Sequence, residues 1–309
     1  MRKIFIILFP ILSLFISACT GASIQPTNKD TLNVVTSFYP LYEIAKKVGA
    51  EHVNVLNMVP AGSEPHDYEP TPSDIINLNK ADLILYNGGG MEPWSDRIIP
   101  DLQKNGIQAL NLSDLLKNNI LKNTSADASE GEYLPYDPHI WMDPTNYMKE
   151  AQIITEKLIE IDPNHQEDYR KNSQNFIGEI QILDQDYQNG LKKCTLNSFI
   201  TNHAAFAYLA NRYQLEMIPI AGVSPDSEPS PQTMAEVVKM IQQKNIHYIL
   251  TESLMNPKVA DTLASETGAK TLVLNPLEGL TDTEIANGKN YIEVMKDNLK
   301  NLRIALECQ

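Results

Sequence analysis

Read for the spacing of its apolar residues, the chain begins as short hydrophobic runs alternating with longer amphipathic ones. Residues 32–36, 53–58, 83–86 and 107–110 are apolar runs of strand length. Between them, 41–48 reads as a helix stopped by Gly49, and 94–104 as another. Thr71 and Pro72 read as the N-cap and first residue of a further helix reaching Asn79. Alternating strands and helices predict a parallel sheet with helices on both faces.

The pattern then changes. Residues 117–136 are polar and carry no regular period. From 146 to 161 the apolar positions Met148, Ala151, Ile154, Leu158 and Ile161 recur at helical spacing, until Asp162-Pro163 breaks the run. A second run over 165–191 places Tyr169, Phe176, Ile180, Leu183 and Tyr187 on one stripe. A helix of that length spans roughly 40 Å and serves as a rigid spine. Alternation resumes with strands at 196–200, 217–220, 246–250 and 271–274. Helices are expected at 204–210, 231–241 (capped by Ser230), 258–267 (ended by Gly268) and 291–306. The expected fold class is α/β: two domains, each a parallel sheet flanked by helices, joined by a long rigid helix. The expected boundaries are 31–145, 146–193 and 194–309.

The amino terminus does not belong to either unit. Arg2 and Lys3 precede an apolar run over 4–16 and then Ser17-Ala18-Cys19. This is the layout of a secretory signal peptide over 1–18, too short in its apolar part for a comfortable membrane span. Cys19 after Ser-Ala resembles a bacterial lipobox, which implies cleavage before Cys19 and a lipid on that residue. The alternative is an ordinary signal peptide with an incidental cysteine. Small polar residues over 19–30 suit a flexible tether.

Composition narrows the partners. The formal net charge is −14, and two of the positive charges, Arg2 and Lys3, lie in the leader. So acidic a chain argues against nucleic acid. Cys194 and Cys308 are the remaining cysteines; in an oxidising compartment an even pair reads as one disulfide, against two free buried thiols. Neither lies near a histidine in sequence, which disfavours a zinc–thiolate site.

The candidate chemistry sits in the loops. His203 falls between the strand at 196–200 and the helix at 204–210, the place where α/β units bind ligands. His66 and His139 each follow a proline in a turn-rich loop, and flanking prolines restrict where the imidazole points. The strand at 271–274 delivers Asn275-Pro276-Leu277-Glu278-Gly279. Three neutral imidazoles and one carboxylate suit a tetrahedral borderline cation, above all Zn²⁺, and four protein ligands point to holding a metal rather than to hydrolysis. Glu252, at a strand end, is a candidate acceptor for the second nitrogen of a ligand histidine, and Asn202 stands beside it in rank. Glu64, Asp67 and Asp137 are further local candidates. His165 reads as a surface residue and His247 as packing. Gly88-Gly89-Gly90 lacks the spacing of a phosphate-binding fingerprint.

Over 37–41, 60–72, 87–94, 137–144, 202–209, 222–231 and 274–281 the chain resembles the substrate-binding lipoproteins of bacterial zinc and manganese ABC importers, and the likeness covers nearly all of it beyond the leader. The resemblance implies His66, His139, His203 and Glu278 as metal ligands in a cleft between two α/β domains. It also implies delivery to a membrane permease with a cytoplasmic ATPase, by a monomer anchored outside the cytoplasm by its lipid, on a Gram-positive cell surface. His203 in place of a second carboxylate favours Zn²⁺ over Mn²⁺. Some relatives carry a histidine-rich loop where 117–136 has no histidine, and some an extra carboxyl-terminal zinc-binding domain that is not expected here. Two other classes stand beside this one. A zinc metallohydrolase needs an open coordination position and a general base, and no His-Glu-x-x-His occurs. A surface adhesin is compatible with exposure and can coexist with transport.

Overall fold

The computed structural model describes residues 31–122, 136–223, 225 and 229–309. The leader, Cys19 and the rest of the tether lie outside the described residues. The first sheet is built from β1 (Leu32–Thr36), β2 (Val53–Asn57), β3 (Leu83–Tyr86) and β4 (Gln108–Asn111). Its helices are α1 (Tyr39–Gly49), α2 (Pro72–Leu78), α3 (Ser95–Lys104) and the single turn α4 (Leu112–Leu115). Two long helices follow, α5 (Pro144–Ile161) and α6 (Gln166–Gly190). The second sheet takes β5 (Ser198–Thr201), β6 (Glu216–Pro219), β7 (Tyr248–Thr251) and β8 (Lys270–Val273). Around it lie α7 (Ala207–Tyr213), α8 (Pro231–Lys244), α9 (Lys258–Thr267), α10 (Asp282–Ala286) and α11 (Tyr291–Ala305).

Both sheets are parallel and four-stranded, with orders β2-β1-β3-β4 and β6-β5-β7-β8. The order reverses between β1 and β3, and again between β5 and β7, and a ligand crevice opens at such points outside the carboxyl ends of the strands. The central strands β1, β3, β5 and β7 are short, mostly buried runs because helices cover both faces, whereas the edge strands β2, β4, β6 and β8 are largely half-buried or exposed. Val34 and Leu83 face the layer shared with α5, whereas Val35 and Ile84 face α2 and α3. One apolar core runs from β1 through α1, α5 and α6 into α11. The connecting helices therefore share their buried stripe, Ile154, Leu158, Tyr169, Phe176 and Tyr187, with both sheets.

Local sequence explains the ends of these elements. Thr71 and Asp74 form a reciprocal capping box at the start of α2, and Ser230 caps α8. Gly268 ends α9 with φ +75°, a conformation that favours glycine. Helix α7 starts later than the expected 204, because the Ala204 amide donates to Gly222 O at 2.9 Å in the neighbouring loop instead of entering a helix. Strand β7 starts at Tyr248. His247, expected to pack, is exposed, and its Nδ1 lies 2.8 Å from Glu307 Oε1. His165 is half-buried, bonds Asp162 at 2.6 Å and stacks on His52 at 3.9 Å between ring centres.

Two ties hold the second half in place. Cys194 and Cys308 form a disulfide across 114 residues, beside backbone bonds such as Leu196 N to Leu306 O at 3.1 Å. Glu43, buried on α1, accepts from the Tyr291 amide at 2.7 Å, so a carboxylate of the first half sits at the positive end of α11. Among the described residues no helix is long and apolar enough to cross a membrane.

Candidate metal centre

Each candidate ligand is held by groups close to it in sequence and by others far from it. His66 lies in the loop after β2, its amide donating to Glu64 Oε1 at 3.4 Å. Asp137 Oδ1 accepts both the His139 amide at 2.9 Å and the His139 Nδ1 at 2.7 Å, so a two-residue Asp-Pro-His step fixes backbone and ring together. From outside, Asn87 Nδ2 donates to Pro138 O at 2.8 Å. Asn87 is itself placed by buried Glu92, which takes the Asn87 amide at 2.8 Å and the Ser37 hydroxyl at 2.5 Å. In the second half, His203 stands two residues past the end of β5 and Glu252 directly follows β7. Glu252 Oε1 accepts the His203 amide at 3.2 Å, and its two oxygens lie 2.9 and 2.8 Å from His203 Nδ1.

Glu278 arrives by a tighter route. Leu277, fully buried, has φ +62°, a left-handed conformation that costs a β-carbon-bearing residue about 1 kcal/mol or more. Asn275 Oδ1 takes the Leu277 amide at 2.7 Å and turns the chain so that Glu278 follows. The loop is tied to the first half by Gly62 N donating to Leu280 O at 3.0 Å and by Trp141 Nε1 donating to Pro276 O at 2.8 Å.

These constraints bring the four side chains to one point. Glu278 Oε1 is 3.5 Å from His66 Nε2, 3.0 Å from His139 Nε2 and 3.3 Å from His203 Nε2, and His66 Nε2 is 3.3 Å from His139 Nε2. All four donor atoms lie within 4.8 Å of one another, and all four residues are buried. A tetrahedron with bonds of about 2.0–2.1 Å has donor–donor edges of about 3.3 Å, close to the four distances of 3.0 to 3.5 Å, so the cluster is of a size to close around tetrahedral Zn²⁺. The Nδ1 atoms of His139 and His203 are occupied by carboxylates, which leaves their Nε2 lone pairs for the cation.

The electrostatics follow from burial against charge. Desolvation holds His66 below the ordinary imidazole range. Burial pulls His139 the same way, but Asp137 and then Glu278 outweigh it and raise it to about 9. Burial is likewise outweighed at His203, by Glu252 and Glu278, which raise it well above its ordinary value. For Glu278, burial is overcome by His203, His139 and His66, and the carboxyl is held well below its usual range. Without metal the cluster thus stores protons on His139 and His203, against the carboxylates of Glu278, Asp137 and Glu252. Burial, and then the charge of Glu278, push Glu64 up to about 8.

The structure brings His66, His139, His203 and Glu278 together, and places Glu252 behind His203 and Asp137 behind His139. Asn202 does not touch the cluster's histidine nitrogens in any recorded bond; its carbonyl takes the Ala221 amide at 2.8 Å. Glu64 and Asp67 stand at the outer side of the His66 loop rather than among the four donors. The part of Trp141 in joining the two loops was missed in the sequence. The one available signal was a tryptophan two residues beyond a candidate ligand.

Residues 34–305 match the protein family described as the periplasmic zinc-uptake complex component A. The high-affinity zinc uptake system protein ZnuA of Bacillus subtilis is 41% identical, over 95% of this chain and 94% of that protein. The zinc-binding lipoprotein AdcA of Streptococcus pneumoniae is 37% identical over 98% of this chain, which spans 61% of that longer protein. The solved Zn(II)-bound ZnuA-like domain of the same AdcA superposes with a TM-score of 0.76 at 36% identity, covering 90% of this chain and 99% of that domain. The laminin-binding protein Lmb of Streptococcus agalactiae, described as bifunctional with adhesin and metal-transporting activity, superposes with a TM-score of 0.77 at 33% identity, covering 89% and 99%.

Proposed function

The chain belongs to the zinc-uptake complex component A family, and on that premise we propose that it captures Zn²⁺ outside the cytoplasm and delivers it to the membrane permease of an ABC importer with a cytoplasmic ATPase. It is a binding protein of a transport system, not an enzyme. The observation that carries this reading is the meeting of three imidazole Nε2 atoms around one oxygen of Glu278, at 3.0 to 3.5 Å. His66, His139, His203 and Glu278 are the proposed ligands. Four such donors complete a tetrahedral ion and leave no position for the activated water a hydrolase needs. Three nitrogens with one carboxylate favour zinc over manganese, which gains more from oxygen donors.

The protein is read as a monomer tethered to the outer face of the cell membrane through lipidated Cys19, after removal of the leader 1–18, with 19–30 as the tether. The units 31–145 and 194–309 are proposed as the two domains and 146–193 as their helical connector. The likeness to Lmb supports matrix binding as a second activity of the same surface-exposed protein. Its test is binding of the purified chain to immobilised laminin at physiological salt, where no retention would exclude it.

The deciding experiment for transport is metal analysis of protein purified without added metal, followed by competitive titration of zinc against manganese. The expected result is one zinc per chain and tighter zinc binding. A site tighter for manganese would overturn the assignment of the cargo.

A further inference from the structure

A cavity of about 350 Å³ lies beside the candidate centre, lined by Glu64, Asp67 and Asn202, with Leu254 on its apolar wall and Asn256 and Lys258 also lining it. Its polar residues form a graded series. Asp67 is exposed and Glu64 half-buried, while Asn202 is only 6% exposed. Two of its members adjoin the candidate ligands directly: Asn202 precedes His203, and the His66 amide bonds Glu64 at 3.4 Å. Asn202 lines this cavity, and its amide oxygen is buried and has no hydrogen-bond partner among the described residues. A buried acceptor left in that state is destabilising unless a ligand or its water satisfies it. Lys258 is exposed and also borders a neighbouring surface depression.

We propose that this cavity is a staging site that holds the hydrated divalent cation by Glu64, Asp67 and the Asn202 oxygen before it is stripped of water and passed to the histidines. Glu64, Asp67 and Asn202 offer oxygen donors here, and among the described residues no imidazole or thiolate lines the cavity. Oxygen groups accept hydrogen bonds from a hydrated cation's water and bind it weakly, so the ion is concentrated without being trapped. The apolar wall lowers the local dielectric and lengthens the reach of the two carboxylates. The inference rests on the metal-capture reading above.

The test is stopped-flow zinc uptake by the full chain, followed by tryptophan fluorescence, since Trp141 lies 5.4 Å from the His139 ring. Glu64→Gln and Asp67→Asn are compared with the wild type at low and high salt, with thermal melting as the check on folding. Each variant is expected to slow association about fivefold at low salt and less at high salt, where steering is screened. Dissociation is expected to slow in step, because an ion leaving the centre retraces the same site. Unchanged rates in both variants would overturn the staging site and leave the zinc centre standing. Slower association with faster dissociation would also overturn it, since that marks damage to the centre. A wild-type chain that takes up no zinc would sink both readings.

Discussion

The indole Nε1 of Trp141 donates to the carbonyl of Pro276 at 2.8 Å, joining the loop that carries His139 to the loop that carries Glu278. The Trp141 carbonyl in turn accepts from Tyr291 Oη at 2.8 Å, and Tyr291 stacks on Tyr147 at 3.8 Å between ring centres. All three side chains are fully buried, so candidate ligands from opposite halves share one support.

Trp141→Phe removes that donor and leaves the Pro276 carbonyl in the core without its partner. The expected cost is about 1–3 kcal/mol of stability and about tenfold in zinc affinity, the latter because Glu278 loses its positioning. Thermal melting and chelator competition read the two separately. Wild-type affinity in this variant would show that the left-handed turn at Leu277 positions Glu278 without help.

Replacing the donors themselves should cost more than replacing what stands behind them. His139→Ala and His203→Ala are each expected to weaken zinc binding by at least about 100-fold, since about 10–16 kcal/mol of binding is shared by four ligands. Asp137→Asn and Glu252→Gln keep the shape but lose the charge that holds each Nδ1 proton, and about 10- to 100-fold is expected. Competition titration against a chromophoric chelator ranks the series. Wild-type affinity after either alanine substitution would remove that histidine from the site.

Zinc binding should release protons near neutral pH. His139, raised to about 9, and His203, raised above its ordinary value, are protonated in the metal-free protein, and each must lose its proton to bind. Affinity is therefore expected to rise with pH through about 9, and His66, held low, contributes little to the slope. The metal-free protein responds in the opposite sense. The raised His139 contributes stability fully present below about 6.5 and lost as pH rises through about 9. The depressed Glu278 contributes stability present above its unfolded value and lost as pH falls through its folded one. Calorimetry in buffers of different ionisation heat counts the protons. A pH-independent affinity between about 6 and 9, roughly the imidazole window, would contradict the charge assignment.

The disulfide should stabilise without touching the chemistry. Opening the Cys194–Cys308 link frees a loop of 114 residues, worth up to about 4–5 kcal/mol by chain entropy. Cys194→Ser with Cys308→Ser is expected to lower the melting temperature and keep one zinc per chain. Two alkylatable thiols in the unfolded, unreduced wild type would show that the link does not form in the protein as made.

The order of strands and helices was readable in the sequence, because period, caps and breakers act between residues a few positions apart. Thr71-Pro72, Ser230-Pro231 and Gly268 announced helix ends by chemistry that needs only the adjacent turn. His66, His139, His203 and Glu278 were also readable as candidates, each beside a proline or at a strand end, and by resemblance to known carriers. Their meeting around a single oxygen was not readable by spacing. It depends on how two sheets pack through α5, α6 and α11, with partners as far apart as His66 and Glu278. The same limit explains what was ranked low or misread. Asp137 was one acidic residue among several until its carboxylate was seen 2.7 Å from His139 Nδ1. His247 sat in an apolar run that suggested packing, yet the nearby chain end offers it Glu307 in solvent. Short-range pattern determines which element a residue joins, whereas burial and side-chain pairing are decided by surfaces distant in sequence that only the folded chain brings into contact.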